Sequence, residues 1–366
     1  MKRVFNPKVL MVGPTPPPAG GDSTWTLKYL SYYREHSYHI HHVNTAIIGV
    51  RSSLSNNRVS VVDEIRRCFG IWNGIIRESI KYRPNVIHMN SNCSTRGVYR
   101  DLISILLMKL SDAPVIFHCR CNVEYAIGNS KKRRYIIKLI MNLASAVFVQ
   151  NRFSYDFVTG ILAQKDDKVY LMPNYIESEK IVEEKKIREH VEKILYVGHI
   201  SAAKGVGEIL KCAKRYPKIE FNLVGIITDD YKDYKKIEKR LGNVHFGGNV
   251  DLETVQRFLD DADLFLLLSW SEGFSNALVE AMARGVPCIV SDVGANREMI
   301  ENKGGIVCKV KDVDAMVAAI GENLDENVRN RESAWNIKKV HDEYTMDAVI
   351  QRIRNIYHNY VRESMR

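Results

Sequence analysis

The stretch SWSEGFSNALVEAMARGVP (269–287) carries the densest candidate chemistry in the chain. An apolar run ends there and Glu272 follows. Gly273 lets backbone approach a ligand closely, and Ser275 or Asn276 is placed to cap a helix running to about Arg284. Open N–H groups at a helix start attract anions. Glu280 falls about one turn into that helix. One carboxylate before the helix and one inside it can flank a phosphate-bearing ligand, and carboxylates accept hydrogen bonds from paired hydroxyls such as those of sugar or ribose. The plainer alternative is a solvated Glu280 and a Glu272 that merely sits in a loop.

Three further places hold candidates. In YVGHISAAKGVGEIL (196–210), Gly198 and His199 close a strand, and Lys204 and Gly205 precede a helix. A lysine there can neutralise a diphosphate leaving group as a point charge, or be an ordinary surface lysine. In PTPPPAGGDST (14–24), Gly20 and Gly21 let a loop lie against a phosphate or sugar, or form a rigid connector. His118, near the end of PVIFHCR, is placed to face the mouth of a crevice; a lone histidine is also often a structural one. Asp261-Ala262-Asp263 has the letters of a metal-binding D-x-D, but reads as a helix end leading into the strand 263–269. No metal site is expected.

The elements that must position these residues alternate strand and helix. Strands are expected at 9–12, 41–49, 85–90, 114–120 and 146–151, with helices at about 24–35, 61–81, 98–110 and 130–144. After Pro173 the theme restarts, with strands at 193–199, 221–225, 244–248, 263–269, 287–292 and 305–310 and a helix at 276–284. Such alternation implies parallel sheets covered by helices on both faces. Two doubly wound α/β domains are expected, 1–174 and 175–345. Ligands of open parallel sheets bind beyond the carboxyl ends of the strands, which is where the candidates above lie.

A chain of 366 residues is long enough for two such domains. Its longest apolar stretches are too short to span a bilayer, and the charged N-terminus with only four apolar residues from Val9 to Val12 does not read as a secretory signal. Seven cysteines, an odd number without metal-like spacing, read as free thiols in a reducing cytoplasm. The net charge of +10 is uneven: residues 1–174 carry 24 basic and 11 acidic side chains, whereas 175–366 carry 29 and 32. The first half is therefore expected to meet something anionic. Within it, NSKKRRYIIKLI (129–140) gathers Lys131, Arg134 and Lys138 on a helix whose Ile136, Ile137 and Ile140 can enter a core. This is either a solvated face or a contact for anionic lipid headgroups. Nucleic acid is not expected, because no aromatic stacking platform accompanies the run.

Taken together, Glu272-x7-Glu280, the GH…KG loop, Pro173-Asn174 and His118 resemble the family 4 retaining glycosyltransferases. The resemblance is strongest from about 193 to 320. It implies the GT-B architecture, two Rossmann-like domains facing across a cleft. The first would bind the acceptor and the second the donor, a final helix at 346–366 crossing back onto the first. It also implies roles. Glu272 would contact the donor sugar and His118 would lie near it. Gly273, Phe274 and Ser275, with Asn276, would contact the sugar and diphosphate. Glu280 would hold the ribose, Lys204 the diphosphate, and Val250 would lie near the base. Gly20 and Gly21 would sit close to the donor phosphate, and Gly198 and Glu298 would shape the donor cleft. The family usually has arginine where this chain has His199, which grips phosphate less well.

The implied activity is transfer of a sugar with retention from a nucleotide diphosphate to a saccharide, carried on a lipid, in surface-polysaccharide synthesis. UDP is favoured over GDP as the carrier, and neither cofactor nor metal is required. The expected setting is cytoplasmic, peripheral on the inner face of the cell membrane. A non-catalytic scaffold of the same fold, motivated by His199, and a sugar-nucleotide epimerase are the alternatives. A nicotinamide dehydrogenase is disfavoured because the first loop lacks G-x-G-x-x-G.

Overall fold

The computed structural model describes residues 6–17, 20–46, 61–162 and 166–364. The chain divides into two compact units, Met1–Pro173 with Ile350–Arg366, and Asn174–Val349.

In the first unit, β1 (Val9–Gly13), β2 (Ile40–Asn44), β3 (Val86–Ser91), β4 (Val115–Cys119), β5 (Ala146–Val149) and β6 (Val169–Leu171) alternate with helices. The helices are α1 (Gly21–Glu35), α2 (Val61–Lys81), α3 (Gly97–Met108), α4 (Val123–Ile127), α5 (Lys131–Leu143) and α6 (Arg152–Leu162). The strands lie in the order β2-β1-β3-β4-β5-β6. Neighbouring strands are parallel, as helical crossovers require. The central strands β1, β3, β4 and β5 are buried along their whole length, which explains their near-continuous apolar runs. On α2, Ile71 and Ile75 lie one turn apart and both enter the core, with Val43 and Ile87 among its members.

The second unit holds β7 (Lys193–Val197), β8 (Glu220–Val224), β9 (Val244–Gly248), β10 (Leu264–Leu267), β11 (Cys288–Ser291) and β12 (Gly305–Cys308). Its helices are α7 (Val206–Arg215), α8 (Tyr234–Leu241), α9 (Leu252–Asp261), α10 (Asn276–Ala283), α11 (Asn296–Ile300), α12 (Val313–Glu322) and α13 (Glu326–Glu343). The order is β12-β11-β10-β7-β8-β9, again parallel. Asn174 belongs here, its side-chain amide donating to Asn276 Oδ1 at 2.7 Å. So does Thr345, bridged to Ile176. The last helix, α14 (Met346–Ser364), starts in this unit, and from Ile350 onward it groups with the first. There Arg354 donates to Asn6 Oδ1 at 2.7 Å and lies 3.7 Å from the Tyr38 ring.

Several elements differ from expectation. The strand expected over 41–49 ends at Asn44, and 47–49 lie outside the described residues. Gly20 and Gly21 do not sit in a loop: Gly20 caps α1 and Gly21 begins it. A side chain at Gly20 would meet nothing nearer than Ser23 Oγ at 3.8 Å, so no crowding requires glycine there. Asp261 ends α9, and Asp263 precedes β10. The Asp263 carboxylate accepts from the amides of Glu192 and Lys193 at 2.8 and 2.9 Å and from Arg188 at 2.9 Å. Asp261 pairs with Arg188 and Lys193. Both carboxylates are tied into the start of β7.

Candidate active site

In the second sheet the chain lays down β7, then β8 and β9 to one side, and β10 to β12 to the other. The order reverses between β7 and β10, and a ligand crevice forms at the carboxyl ends of strands flanking such a switch. The loop after β7 carries Lys204 and the loop after β10 carries Glu272. Though 68 positions apart in sequence, they meet: Lys204 Nζ lies 2.6 Å from Glu272 Oε1. Both are partly exposed, the lysine side chain 32% and the glutamate 11%, so the pair is open to a ligand.

Glycines make this approach possible. Gly205 follows the short turn Ala202–Lys204 and begins α7 at φ +74°. A Cβ there would stand 2.0 Å from the Leu268 carbonyl oxygen, so only glycine lets the two loops close. The Trp270 amide then donates to Ala203 O at 2.9 Å and locks them. Gly294, at φ +55°, lies so close to Glu272 that a Cβ would fall 2.5 Å from its carbonyl oxygen. Beside it Ala295 N donates to Gly273 O at 3.0 Å. The turn before α11 thus holds the Glu272-Gly273 backbone from behind.

Among the expected residues, Ser275 caps α10, its Oγ accepting from Leu278 N at 3.3 Å. Phe274 is nearly buried and meets the Tyr344 ring edge-on at 5.5 Å. Asn276, the first residue of α10, is held by Asn174. Gly198 follows β7, its amide donating to Val224 O at 2.9 Å; His199 beyond it is exposed, and its carbonyl accepts from Tyr196 Oη at 2.8 Å. Glu298 is half-buried on α11. Glu280 lines a small hollow formed with Ile176, Lys180, Arg284 and the α9 residues Leu252, Val255 and Gln256. Val250, just before α9, is partly buried against the core. The structure thus joins Lys204 directly to Glu272, and places Glu280 in the hollow beside α9.

Sequence reasoning missed two neighbours. Gly225, at the end of β8, donates to Gly248 O at 2.8 Å and crowds Gly198. Trp270, 38% exposed, has Lys311 Nζ 3.6 Å from its ring centroid. The signal for Gly225 was its place at a strand end; the cation–π pair had none.

In the first unit His118 does not stand open at the strand end. It is completely buried under Trp25 and Phe148. Its Nε2 faces Arg120 at 3.4 Å and its Nδ1 faces His88 Nε2 at 3.0 Å, while His88 Nδ1 meets Tyr357 Oη, which lies 3.0 Å from Tyr29 Oη. A guanidinium can only donate. His118 Nε2 therefore accepts, its Nδ1 donates to His88, and His88 donates to Tyr357. Burial, reinforced by the Arg120 charge, pushes His88 down to about 3 and His118 well below the usual histidine range, so both stay neutral. At the far end Arg120 Nε is 3.7 Å from Asp22, whose carboxyl is raised to about 6 by burial against the opposing pull of Arg120. His118 is thus a buried link that orients Arg120.

Two parallel, doubly wound six-stranded units of this kind define a GT-B protein. Anabaena HepE, solved in complex with UDP, has this fold with a TM-score of 0.71 and 14% identity over 96% of this chain and 100% of that one. Residues 177–340, nearly the whole second unit, match the family described as Glycosyl transferases group 1. The N-acetyl-alpha-D-glucosaminyl L-malate synthase of Bacillus anthracis is 26% identical over 205 residues, 54% of this chain and 52% of that protein. The UDP-Gal:alpha-D-GlcNAc-diphosphoundecaprenol alpha-1,3-galactosyltransferase of Escherichia coli is 26% identical over 136 residues, 37% of this chain and 34% of that protein. The chain spans about half the length of the curated relatives it matches first.

Proposed function

We propose that this protein is a retaining glycosyltransferase of the family 4 type. It takes a sugar from a nucleotide diphosphate, UDP in preference to GDP, and passes it to a saccharide acceptor carried on a lipid. The Lys204–Glu272 pair at the β7/β10 switch point carries this reading. The bond from the sugar anomeric carbon to the diphosphate breaks, and a bond to the acceptor oxygen forms on the same face. The acceptor proton passes to the departing phosphate. Lys204 neutralises the charge that develops on that phosphate, a role for which a fixed cation in a partly enclosed site is effective. Glu272 holds Lys204 and accepts from the sugar hydroxyls. Glu280 takes the ribose in its hollow beside α9, and no metal is needed. UDP in the HepE structure and uridine and lipid diphosphate in the E. coli enzyme's name support the choice of substrates.

Calorimetric titration with UDP- and GDP-sugars in EDTA tests this. One uridine donor is expected to bind, and Glu280→Ala to weaken it at least tenfold, the scale of losing charge-assisted hydrogen bonds. Binding that requires a divalent metal would overturn the metal-free mechanism. Failure of every donor would leave the scaffold alternative.

The reading extends to a membrane. Among the described residues no helix is long and apolar enough to cross one. α3 packs between α2 and α5. These three helices expose Ile65, Phe69 and Ile80, Ile103 and Leu106, and Tyr135. Lys131, Lys132, Arg134 and Lys138 are exposed on α5. Four successive cations at a helix N-terminus oppose the helix dipole; Arg133 is tied to Thr95 Oγ1 and Ala126 O, Lys132 lies 5.4 Å from the Tyr99 ring centroid and Arg134 5.1 Å from that of Phe157. An anionic lipid surface would offset that cost. Lys131→Glu with Lys132→Glu and Lys138→Glu is expected to cut sedimentation with phosphatidylglycerol vesicles by about a hundredfold, from roughly 1 kcal/mol per basic residue. Equal binding of the wild type to phosphatidylcholine vesicles would sink the idea.

A further inference from the structure

Three of the chain's seven cysteines meet at one place in the first unit. In the parallel pair β3–β4, Ser91 stands beside Cys119, and just beyond them Arg120 N donates to Ser91 O at 2.7 Å. Neighbouring strands run about 4.8 Å apart, inside the Cα separation that a disulfide needs. After Ser91 the chain turns: Ser91 Oγ accepts from Cys93 N at 3.0 Å, and Cys93 takes φ +50°. Few residues with a Cβ adopt that region, and those held there cluster at functional sites. The turn brings the Cys93 thiol back against β4, where the thiols of Cys119 and Cys121 both donate to its sulfur.

The three sulfurs have different surroundings. Cys93 and Cys119 are completely buried, while Cys121 is partly exposed. Donation from Cys119 and Cys121, working against burial, pulls the Cys93 thiol down to about 5. Donation to Cys93 and burial push Cys121 well above the usual thiol range. The cluster therefore holds one negative charge on a buried sulfur, with an accessible thiol one hydrogen bond away. A thiolate beside a second thiol is the arrangement in which a sulfenic acid goes on to a disulfide. Disulfides of this transient kind are the ones found in reducing surroundings.

We propose that Cys93 and Cys121 form a reversible disulfide when the protein meets a peroxide, tying the turn that leads into α3 to the loop that leads into α4. The Cys121 proton passes to Cys93 as the Cys121 sulfur attacks one peroxide oxygen. The O–O bond breaks, hydroxide leaves, and Cys121 becomes a sulfenic acid. The Cys93 sulfur then attacks Cys121. The S–S bond forms, the S–O bond breaks, and the hydroxyl departs with the Cys93 proton as water. The two sulfurs are oxidised and the peroxide is reduced to water and hydroxide. Nothing in this step depends on sugar transfer.

The test treats the full chain with hydrogen peroxide, blocks the remaining thiols with N-ethylmaleimide in denaturant, and weighs the tryptic peptides. Trypsin cuts after Arg120, so Cys119 and Cys121 fall on different peptides. The expected product is a Cys93–Cys121 peptide pair that dithiothreitol separates. It should be complete while Cys68, the other partly exposed cysteine, is still fully blocked by maleimide. Cys119→Ser is expected to form the same link, and Cys121→Ser to form none. No link in the wild type, a link from Cys93 to Cys119, or Cys68 oxidised first would each overturn the assignment. So would Cys121 ending as sulfinic acid with Cys93 still open to maleimide.

Discussion

Lys204→Ala is expected to lower kcat by roughly two to three orders of magnitude, the range seen when one fixed group stabilising transition-state charge is removed. The measurement is release of nucleoside diphosphate from the donor that binds. The reason lies in the pairing. Lys204 Nζ rests on Glu272 Oε1 at 2.6 Å, so the protein itself sets its position. A diphosphate gains negative charge as it leaves, and a cation already in place follows that gain without rearrangement. In Lys204→Ala the Glu272 carboxylate is left facing the phosphate with nothing to balance it. Removing it as well should then do little further harm. The double variant Lys204→Ala/Glu272→Ala is expected to be no slower than Lys204→Ala alone, although Glu272→Ala by itself is also impaired. Such non-additivity is the mark of two groups acting as a unit. If Lys204→Ala raises KM and leaves kcat intact, the lysine only binds ground-state donor. If the two losses add, the pair is not a unit.

How much of this was legible depends on whether the controlling contact is local. The α2 helix matched its expected span because its apolar period of 3.6 is written in consecutive residues, and Ile71 and Ile75 answer to it. The α10 start was legible because a small hydroxyl before an apolar helix is itself the cap. By contrast β6 is three residues long, and nothing in Val169–Leu171 separates an edge strand from a loop. α13 escaped because its buried face is largely polar: Arg329, Ser333 and Asn336 are among its buried residues, with Asn336 donating to Val286 O and Gly304 O. No hydrophobic period announces such a helix. The candidate site divides the same way. Lys204 and Glu272 were each visible as a residue after a strand, but their contact follows from strand order, which the sequence does not state. His118 was placed correctly on its strand. That the strand end is roofed by Trp25 depends on a residue 93 positions away.

Gly225 makes the strongest case for structure that sequence hides. In FNLVGII it reads as an ordinary strand end, yet Gly225→Ala is expected to destabilise the second unit by about 3 kcal/mol or more, from two causes. Its φ of +141° lies where residues with a Cβ are strained. That Cβ would also stand 2.0 Å from the Gly198 carbonyl oxygen, a backbone atom that cannot swing away. To admit the methyl group, β7 and β8 must part at their ends. The bonds at risk are Gly198 N to Val224 O at 2.9 Å and Gly225 N to Gly248 O at 2.8 Å. The loop that carries His199 and Lys204 starts from Gly198, so the same movement draws Lys204 away from Glu272. Lost stability and lost donor binding should therefore appear together. Gly160→Ala is the control: Gly160 lies inside α6, nothing comes within 4 Å of a Cβ there, and alanine favours a helix by up to about 1 kcal/mol. Thermal unfolding with and without UDP-sugar compares the two. Gly225→Ala should melt several degrees lower and lose the upward shift that donor gives the wild type, while Gly160→Ala keeps it. A Gly225→Ala protein that melts with the wild type and still gains stability from donor would show that the strand ends can part freely, and that their close approach does not set the position of Lys204.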